Sequence, residues 1–248
     1  MADPNGTVAT TASTTHHSPK VETASYLSNF PPQRPPIIAN PTPTGLLGFA
    51  ISTFVLGLYH CGAGLPNSDP RGPIGPDNAA FGLAVFMGGM NQIIAGIMQF
   101  RLGNTFGSTV HCSYGSFWLG YAMLLIPSLN IRAAYGGDER AYTFAIGIYL
   151  TLWCFLTIIF LFASLRTNLA VIGVFVTLVL TYFFLAIANF IQTSSPHHSV
   201  RVHRLGGAMA VICAFIAFYA GASGLMIPET TWVRLPVGEI QKPESAVV

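Results

Sequence analysis

The amino-acid sequence predicts an all-α membrane protein whose chain crosses the bilayer six times. Of its 248 residues, 52% are hydrophobic and only 8% are Asp, Glu, Lys or Arg, whereas an ordinary soluble domain contains about 25% charged residues. So few charged side chains cannot cover a water-exposed surface, which excludes a soluble globular enzyme.

The remaining composition excludes two further classes of protein. A formal net charge of +2 provides no basic surface of the kind that binds nucleic acid. The cysteines at positions 61, 112, 154 and 213 are too widely spaced in sequence for a disulfide framework or a zinc site. We therefore expect no metal and no cofactor.

The positions of the charged residues divide the chain into six apolar spans. Windows without Asp, Glu, Lys or Arg cover residues 35–68, 78–100, 102–131, 141–165, 167–200 and 205–228. Each exceeds the roughly 20 residues that a helix needs to cross the hydrocarbon core, and a charge at the centre of such a helix costs about 2.5–3.5 kcal/mol. We place the spans near 44–62, 79–100, 108–127, 141–163, 168–190 and 205–227.

Two polar tails flank this transmembrane domain of residues 40–228. Residues 1–39 are rich in Ser, Thr, Pro and Ala and are expected to be disordered, and residues 229–248 form a short polar C-terminal tail. The Lys and Arg residues are divided almost equally between the loops of the two sides, so charge bias does not determine the orientation.

Polar, aromatic and small residues recur at helical spacing within four of the spans, which places each set on one helix face. Amide groups are costly against lipid, so these faces should point inward. They form interhelical contacts or line a path for a small solute, and spacing alone does not decide between these alternatives. The four sets are Phe49, Ser52, Leu56 and Tyr59; Gly89, Gln92, Gly96 and Gln99; His111, Tyr114, Trp118 and Tyr121; and Leu178, Leu185, Asn189 and Gln192.

Two other local patterns concern the first and last spans. The sixth carries a stripe of small residues from Ala210 to Gly224, which allows close helix contact within the bundle or between subunits. The first begins with Asn40-Pro41-Thr42-Pro43-Thr44-Gly45, where Asn or Thr can cap the helix before an early proline. Such a helix start is either simply well capped or attractive to an anion.

Three motifs resemble those of the acetate uptake transporters, which include bacterial succinate–acetate permeases and fungal acetate transporters. They are NPTPTGLLGFA at 40–50, the long block from GGMNQIIAG to SYGSFWLGY within 88–127, and LAIAN at 185–189. The resemblance covers roughly residues 38–228. It implies a six-helix protomer with both termini cytoplasmic, assembled as a homo-hexamer in the plasma membrane with a pore in each protomer.

The resemblance also implies a function and a site. The expected activity is proton-linked transport of acetate, a related short monocarboxylate or succinate, and not catalysis. The hydrophobic constriction of the pore falls on Phe49, Tyr114 and Leu178. Thr42, Thr44, Gln99 and His111 depart from the residues usual in the family. The two threonines make the entrance of the pore more polar, Gln99 replaces an acid by an amide, and His111 replaces an apolar residue.

A gate of this kind suits the methyl group of acetate but provides no positive charge for its carboxylate, so either the neutral acid passes or polar groups share the cost of dehydration. The candidate polar groups are Asn40, Thr44, Ser52, Thr53, Gln92 and Asn189. His111 is the candidate for proton coupling, because imidazole titrates near neutral pH. It could equally be a neutral histidine that bonds a neighbour. The alternative function is a channel for a neutral solute such as ammonia or urea.

Overall fold

A computed structural model describes residues 38–72 and 76–240. Almost all of the described residues belong to one compact unit, Ala39–Val248. The disorder expected of residues 1–39 falls almost wholly outside the described residues, as do the last eight residues of the expected C-terminal tail.

Six long helical segments account for most of the described residues, which confirms the all-α class. They are α1 (Thr42–His60), α2 (Leu83–Arg101), α3 (Thr105–Leu124), α4 (Glu139–Ser164), α5 (Leu169–Phe190) and α6 (Pro196–Ser223). Short 3₁₀ turns lie in the connections, and α2 begins as a π-helical segment, Leu83–Met90, before continuing as an α-helix.

Five of the six segments, all except α3, are long and apolar enough to cross a membrane. Helix α3 has sufficient length, but it carries Ser, Thr, His and Tyr along its course, which lowers its hydropathy. The protein is therefore a membrane protein with five helices that qualify as spans by length and composition alone.

Helix α6 begins earlier than the sequence predicts. It starts at Pro196 rather than near residue 205, so Arg201, His203 and Arg204 form part of the helix. A charge-free window marks only the apolar part of a helix, whereas proline at the first helical position is compatible with a start among polar residues.

Side-chain caps fix the starts of three helices. Asn104, Asp138 and Asn168 accept hydrogen bonds from backbone N–H groups in the first turns of α3, α4 and α5, at 2.9–3.0 Å. At the start of α1, the Thr42 N–H donates to Asn40 Oδ1 at 3.1 Å. The N-cap residue of α1 is Pro41, which has no side chain that can cap the helix, so the predicted cap by Asn40 or a threonine is wrong and Asn40 only bonds the turn that leads into α1.

Helices α1 and α6 pack closely through the small-residue stripe. Ala214 and Ala217 are fully buried, and an added Cβ atom at Gly207 would lie 2.7 Å from the backbone N of Cys61. Gly221 packs against the side chain of Leu47. The stripe therefore serves packing within the bundle, because close approach of two helix backbones requires residues with little or no side chain.

The outer surface of the bundle is apolar. Phe100, Leu152 and Phe162 are 75%, 64% and 68% exposed, respectively, and many other large hydrophobic side chains also point outward. In contrast, Gln92 and Thr157 are among the most completely buried side chains. Polar groups inside and apolar groups outside are the arrangement that a bilayer demands.

Part of the segment after α6 returns to the bundle. The Leu169 N–H donates to the Gly238 carbonyl oxygen at 2.9 Å, and the Ile240 N–H donates to the Thr167 carbonyl oxygen at 3.2 Å. These bonds place residues 237–240 beside the start of α5, where they accept from backbone donors that a helix leaves free.

Candidate functional site

The described residues line a wide cavity and a narrow cavity in the bundle, one toward each end. The wide cavity, of about 350 Å³, extends from the bundle centre to His60 and Tyr121, near the ends of α1 and α3. The narrow cavity, of about 180 Å³, reaches Thr42, Asn104 and Asn168 near the starts of α1, α3 and α5. The cavities therefore approach the two opposite ends of the bundle.

Phe49 and Leu178 are the two residues that line both cavities. Tyr114 lines the narrow cavity, and its ring centroid lies 5.8 Å from that of Phe49 at an angle of 47°. All three side chains are at most 5% exposed. The structure thus brings together, around the narrow cavity, the three residues that the resemblance indicated, and two of them, Phe49 and Leu178, also line the wide cavity.

The hydroxyl group of Tyr114 is held by α4. It lies 2.9 Å from Thr157 Oγ1, and Thr157 in turn donates to the Trp153 carbonyl oxygen at 2.7 Å. Because a threonine hydroxyl has a single hydrogen, Tyr114 is the donor in the first bond. The phenol hydrogen is therefore already used, and the aromatic ring, rather than a free O–H, is what Tyr114 contributes beside Phe49.

The predicted polar residues divide into those that line a cavity and those that do not. Thr53 and Asn189 line the wide cavity, and Gln92 and His111 line the narrow one. Three others lie in neither cavity: Asn40 and Thr44 are exposed, and Ser52 is buried and donates to the carbonyl oxygens of Gly48 and Leu83.

Buried polar atoms without a hydrogen-bond partner in the described residues are concentrated along the two cavities. There are seven such atoms in six residues, and five of these residues line a cavity. Such atoms are rare in proteins because each costs free energy when it is buried without a partner. Their position beside the cavities suits contact with a passing solute or water. The five residues are Thr53, Arg71, His111, Trp118 and His203.

His111 is packed so that its ring faces the narrow cavity and α1. A Cβ atom on Gly45 would lie 2.5 Å from the His111 ring carbon Cε1, so glycine at position 45 makes room for the imidazole. Nδ1 of His111 has no partner among the described residues. The structure therefore does not show the alternative in which His111 forms a hydrogen bond to a neighbour through Nδ1.

An amide network borders the narrow cavity. Gln99 Nε2 donates to Thr42 Oγ1 at 2.6 Å, and Gln99 Oε1 accepts from Asn104 Nδ2 at 2.9 Å. An amide can donate and accept at the same time, whereas an ionised carboxylate only accepts. Gln99 therefore links Thr42, in the first turn of α1, to Asn104, the N-cap residue of α3.

A cluster of charged residues, which the sequence patterns did not indicate, lines the wide cavity. It includes Arg71, Asp77 and the pair Arg132–Glu139, whose Nη2 and Oε2 atoms are 2.6 Å apart. His60 Nε2 lies 3.7 Å from Asp77 Oδ2. In the sequence, the only sign of this cluster is that Asp69, Arg71 and Asp77 separate two apolar windows. Charged residues are common in loops next to membrane spans and do not indicate a site by themselves.

Burial and neighbouring charges shift the pKa values of the two loop residues. Burial lowers the pKa of Arg71 to about 10 although Asp77, Glu139 and Asp69 raise it, so the guanidinium is charged at neutral pH. Burial alone would raise the pKa of Asp77, but His60, the Tyr121 hydroxyl and Arg71 outweigh it and hold that pKa below its ordinary value. The wide cavity therefore contains a cation and an anion with different partners.

Within residues 38–72 and 76–240, no group of three or more His, Cys, Asp or Glu side chains is placed to hold a metal ion. The cavities are instead bordered by aromatic, amide and hydroxyl groups, with charges confined to the wide one. This arrangement can accommodate a small solute with an apolar part and a polar part.

Comparison with known proteins identifies similar sequences. The family model described as the GPR1/FUN34/yaaH family matches residues 26–242. The chain is 37% identical to Ammonia transport outward protein 2 of Saccharomyces cerevisiae, over 79% of this chain and 65% of that protein. It is 34% identical to Acetate permease A of Emericella nidulans, over 80% of this chain and 65% of that one. The chain thus spans a little less than two thirds of these fungal relatives.

A bacterial relative is matched over nearly its whole length. The Succinate-acetate/proton symporter SatP of Escherichia coli K12 is 32% identical over 82% of this chain and 96% of that protein. A solved structure of the bacterial acetate channel SatP superposes with a TM-score of 0.66 and 30% identity, covering 82% of this chain and 100% of the other. The helical bundle described above is therefore similar to that of a solved channel.

Proposed function

The chain belongs to the GPR1/FUN34/yaaH family, and from this premise we propose that it carries acetate, a related short monocarboxylate or succinate across the membrane, linked to protons. The observation that carries the proposal is that two cavities from opposite ends of the bundle share the apolar pair Phe49 and Leu178. Two curated relatives are named for acetate transport, which supports the substrate class.

In the proposed mechanism, Phe49, Leu178 and the ring of Tyr114 form the gate. Their apolar surfaces accept the methyl group of acetate, but they offer no charge that replaces the hydration of a carboxylate. The neutral acid therefore crosses the gate, and the proton travels with the substrate. This linkage makes an acidic compartment the favoured source.

Polar groups on each side of the gate assist the transfer. Thr53, one helical turn from Phe49, lies on the wide-cavity side with an Oγ1 atom that has no partner in the described residues. His111 occupies the corresponding position on the narrow-cavity side, together with Gln92. A carboxylic acid that leaves the gate can donate to or accept from these groups, and His111 can take up its proton.

We also propose that α3 spans the membrane, which gives six transmembrane helices around one pore in each protomer. The polar residues of α3 include His111 and Tyr114, both at most 5% exposed. A helix that directs its polar groups into protein does not need the hydropathy of one that faces lipid. An even number of spans places both termini on one side, and we infer that this side is the cytoplasm and the membrane the plasma membrane.

Assembly as a homo-hexamer is part of the same proposal. The apolar outer surface, with Phe100 and Phe162 prominently exposed, can contact either lipid or a neighbouring subunit. Native mass spectrometry of the detergent-purified protein should give a mass of six chains. A monomer that retains transport in vesicles would show that one bundle suffices.

The decisive experiment is uptake of labelled acetate into proteoliposomes with and without an inward proton gradient. Protein-free vesicles are a required control because neutral acetic acid leaks through lipid, and Phe49→Trp protein, which fills the gate, is a second control. We expect protein-dependent uptake that the gradient accelerates and that propionate inhibits. Uptake no faster than the leak, from vesicles that contain folded protein, would contradict carboxylate transport.

A second candidate function is the movement of a neutral solute such as ammonia. The name of the Saccharomyces cerevisiae relative and the uncharged gate favour it. Adding a competing carboxylate at fixed pH separates the two functions. The carboxylate should inhibit the uptake of acetate by an acetate transporter, but it should not inhibit ammonia flux through a pore that does not bind carboxylates. Ammonia flux that is insensitive to acetate, together with no acetate uptake, would support the second function.

A further inference from the structure

Arg71 lies in the connection between α1 and α2, and its side chain lines the wide cavity. Its Nη1 donates to Asn189 Oδ1 at 3.2 Å. Among the described residues, Nε and Nη2 have no hydrogen-bond partner, and both are shielded from bulk water. One edge of the guanidinium thus retains two unused N–H donors.

The charge of this guanidinium has no close counter-ion. In the described part of the chain, no carboxylate oxygen lies within 4.0 Å of the Arg71 nitrogens. The nearby acids have other partners: Asp77 accepts from the Tyr121 hydroxyl at 2.8 Å, and Glu139 pairs with Arg132. Asp69 accepts from the backbone N–H of Arg71, not from its side chain.

Burial of a charged group without a partner is costly, so such a group is usually paired. Nε and one terminal nitrogen of arginine form a planar fork whose two parallel N–H donors match the two oxygens of a carboxylate. A phosphate or a carboxylate can complete such a fork. The apolar gate behind this cavity favours the carboxylate of a small organic acid, whose remaining part is apolar.

We propose that Arg71 is a carboxylate receptor in the wide cavity, where Nε and Nη2 bind an organic acid before it reaches the gate. This inference rests on the proposed function, and it adds the site that the apolar gate itself lacks. Asn189 is a positioning residue: its Nδ2 donates to the Leu185 carbonyl oxygen at 2.8 Å, which fixes the amide so that Oδ1 faces Arg71.

The receptor also explains how an anion and a neutral acid can use one path. The anion, which is the abundant form at neutral pH, is concentrated at Arg71. Protonation then releases it, because the neutral acid loses most of its attraction to the guanidinium. The released acid moves past Thr53 to Phe49, both of which line the same cavity.

The test is acetate binding to the full-length protein in detergent, read as the rise of the unfolding temperature with sodium acetate at constant ionic strength. Acetamide, which is similar in shape and uncharged, serves as the comparison ligand. For Arg71→Gln we expect the acetate concentration that gives half of the shift to increase about tenfold, which corresponds to the loss of one charge-assisted contact. Arg71→Lys keeps the charge but not the fork and should fall between the two.

Arg140→Gln is the matched control. Arg140, in the first turn of α4, is exposed and lines neither cavity, so its loss should leave the acetate dependence as in the wild type. If Arg71→Gln binds acetate as the wild type does, if both variants weaken binding equally, or if acetate causes no shift in the wild type, the receptor proposal is overturned. Equal stabilisation by acetamide would overturn it as well.

A purely structural role for Arg71 makes a different prediction. If Arg71 only fastens its loop to Asn189, Arg71→Gln should lower the unfolding temperature without acetate. We expect no such decrease, because the substitution removes a buried charge that forms no ion pair in the described part of the chain, while a glutamine amide can still donate to Asn189. The acetate-free measurement therefore separates the two roles.

Uptake measured on the same preparations distinguishes this proposal from the proposed function. Acetate binding that depends on Arg71, without acetate uptake, would retain the receptor and remove the transport function. Acetate uptake with binding that is independent of Arg71 would do the opposite. If both hold, Arg71→Gln should increase the KM for acetate more than it lowers the maximal rate.

Discussion

The Tyr114 hydroxyl donates a hydrogen bond to Thr157 Oγ1 at 2.9 Å, and the Thr157 hydroxyl donates to the Trp153 carbonyl oxygen at 2.7 Å. This chain of hydrogen bonds fastens Tyr114 to α4, while the Tyr114 ring lies beside the ring of Phe49. Helix α4 contains none of the gate residues Phe49, Tyr114 and Leu178, yet it sets the position of Tyr114.

Breaking this chain at Thr157 should destabilise the protein. Thr157→Val preserves the shape but leaves the buried Tyr114 O–H without an acceptor, at a cost of about 1–3 kcal/mol. Tyr114→Phe removes the donor as well, so the double variant should be more stable than Thr157→Val alone. Thermal unfolding in detergent measures all three, and a double variant whose loss equals the sum of the single losses would show that the two hydroxyls are not coupled.

Opening the gate should change which acids pass. Leu178→Ala joins the two cavities, so the uptake of butyrate relative to acetate should increase. Leu185→Ala is the control, because Leu185 lies on the same helix and lines only the wide cavity. Both substitutions remove a buried leucine and should cost a similar 2–5 kcal/mol or so in stability. An equal change of the uptake ratio in both variants would contradict a gate at Leu178.

His111 should influence the pH dependence of transport. We propose to vary pH while total acetate is adjusted to keep the neutral acid constant, so that any remaining pH dependence comes from the protein. His111→Phe should abolish this dependence, because His111 and Tyr114 are the titratable residues that line the narrow cavity. The exposed His197→Phe is the control. A pH profile that persists in His111→Phe but disappears in His203→Phe would transfer the role to the wide cavity.

Asp77 should make stability depend on pH in a defined direction. Its pKa in the folded protein lies below the ordinary value, so its carboxylate contributes stability that is complete above the pKa of the unfolded chain, about 3.9. This contribution is lost as the pH falls through the lower folded-state pKa. The unfolding temperature of Asp77→Asn should therefore be lower than that of the wild type at neutral pH, and the difference should shrink below about pH 4.

Glu229→Gln, which removes an exposed carboxylate, is the control. At neutral pH its unfolding temperature should equal that of the wild type. A difference between Asp77→Asn and the wild type that grows as the pH falls would contradict the sign of this argument.

The contact of α1 with α6 should not tolerate a methyl group at Gly207. An added Cβ atom would lie 2.7 Å from backbone atoms of His60 and Cys61, which cannot move without separating the helices. We expect Gly207→Ala to lose about 1–3 kcal/mol of stability. At Gly173 the nearest atom to such a Cβ is a side-chain carbon of Ile216 at 3.5 Å, so Gly173→Ala should be as stable as the wild type or more so. Equal unfolding temperatures for the two variants would exclude the close backbone contact.

The sequence predicted the helices well because hydropathy is a local property. Charge-free windows placed α5 within one residue of its observed bounds, Leu169–Phe190. They placed the start of α6 too late because the helix continues through Arg201 and Arg204. The windows also predicted a span at α3, which the hydropathy of that helix does not indicate on its own.

Helical spacing and family resemblance together indicated which helix faces point inward. The residues Phe49, His111, Tyr114 and Leu178 of these faces do line the cavities. Spacing could not show that Ser52 instead bonds the backbone of α2 at Leu83. It also could not show that Asn40 and Thr44 lie outside both cavities. A residue's helix face follows from its number, but the neighbour that the face meets depends on how the helices pack.

The sequence by itself determined that this chain forms apolar helices with polar inner faces, since a bilayer imposes that pattern on each helix separately. Only the tertiary structure decided that Phe49 and Leu178 stand between two cavities, and that Arg71 is buried beside one of them with two unused donors. These features join residues from separate helices and loops. Their partners are set by packing in three dimensions, which no local periodicity encodes.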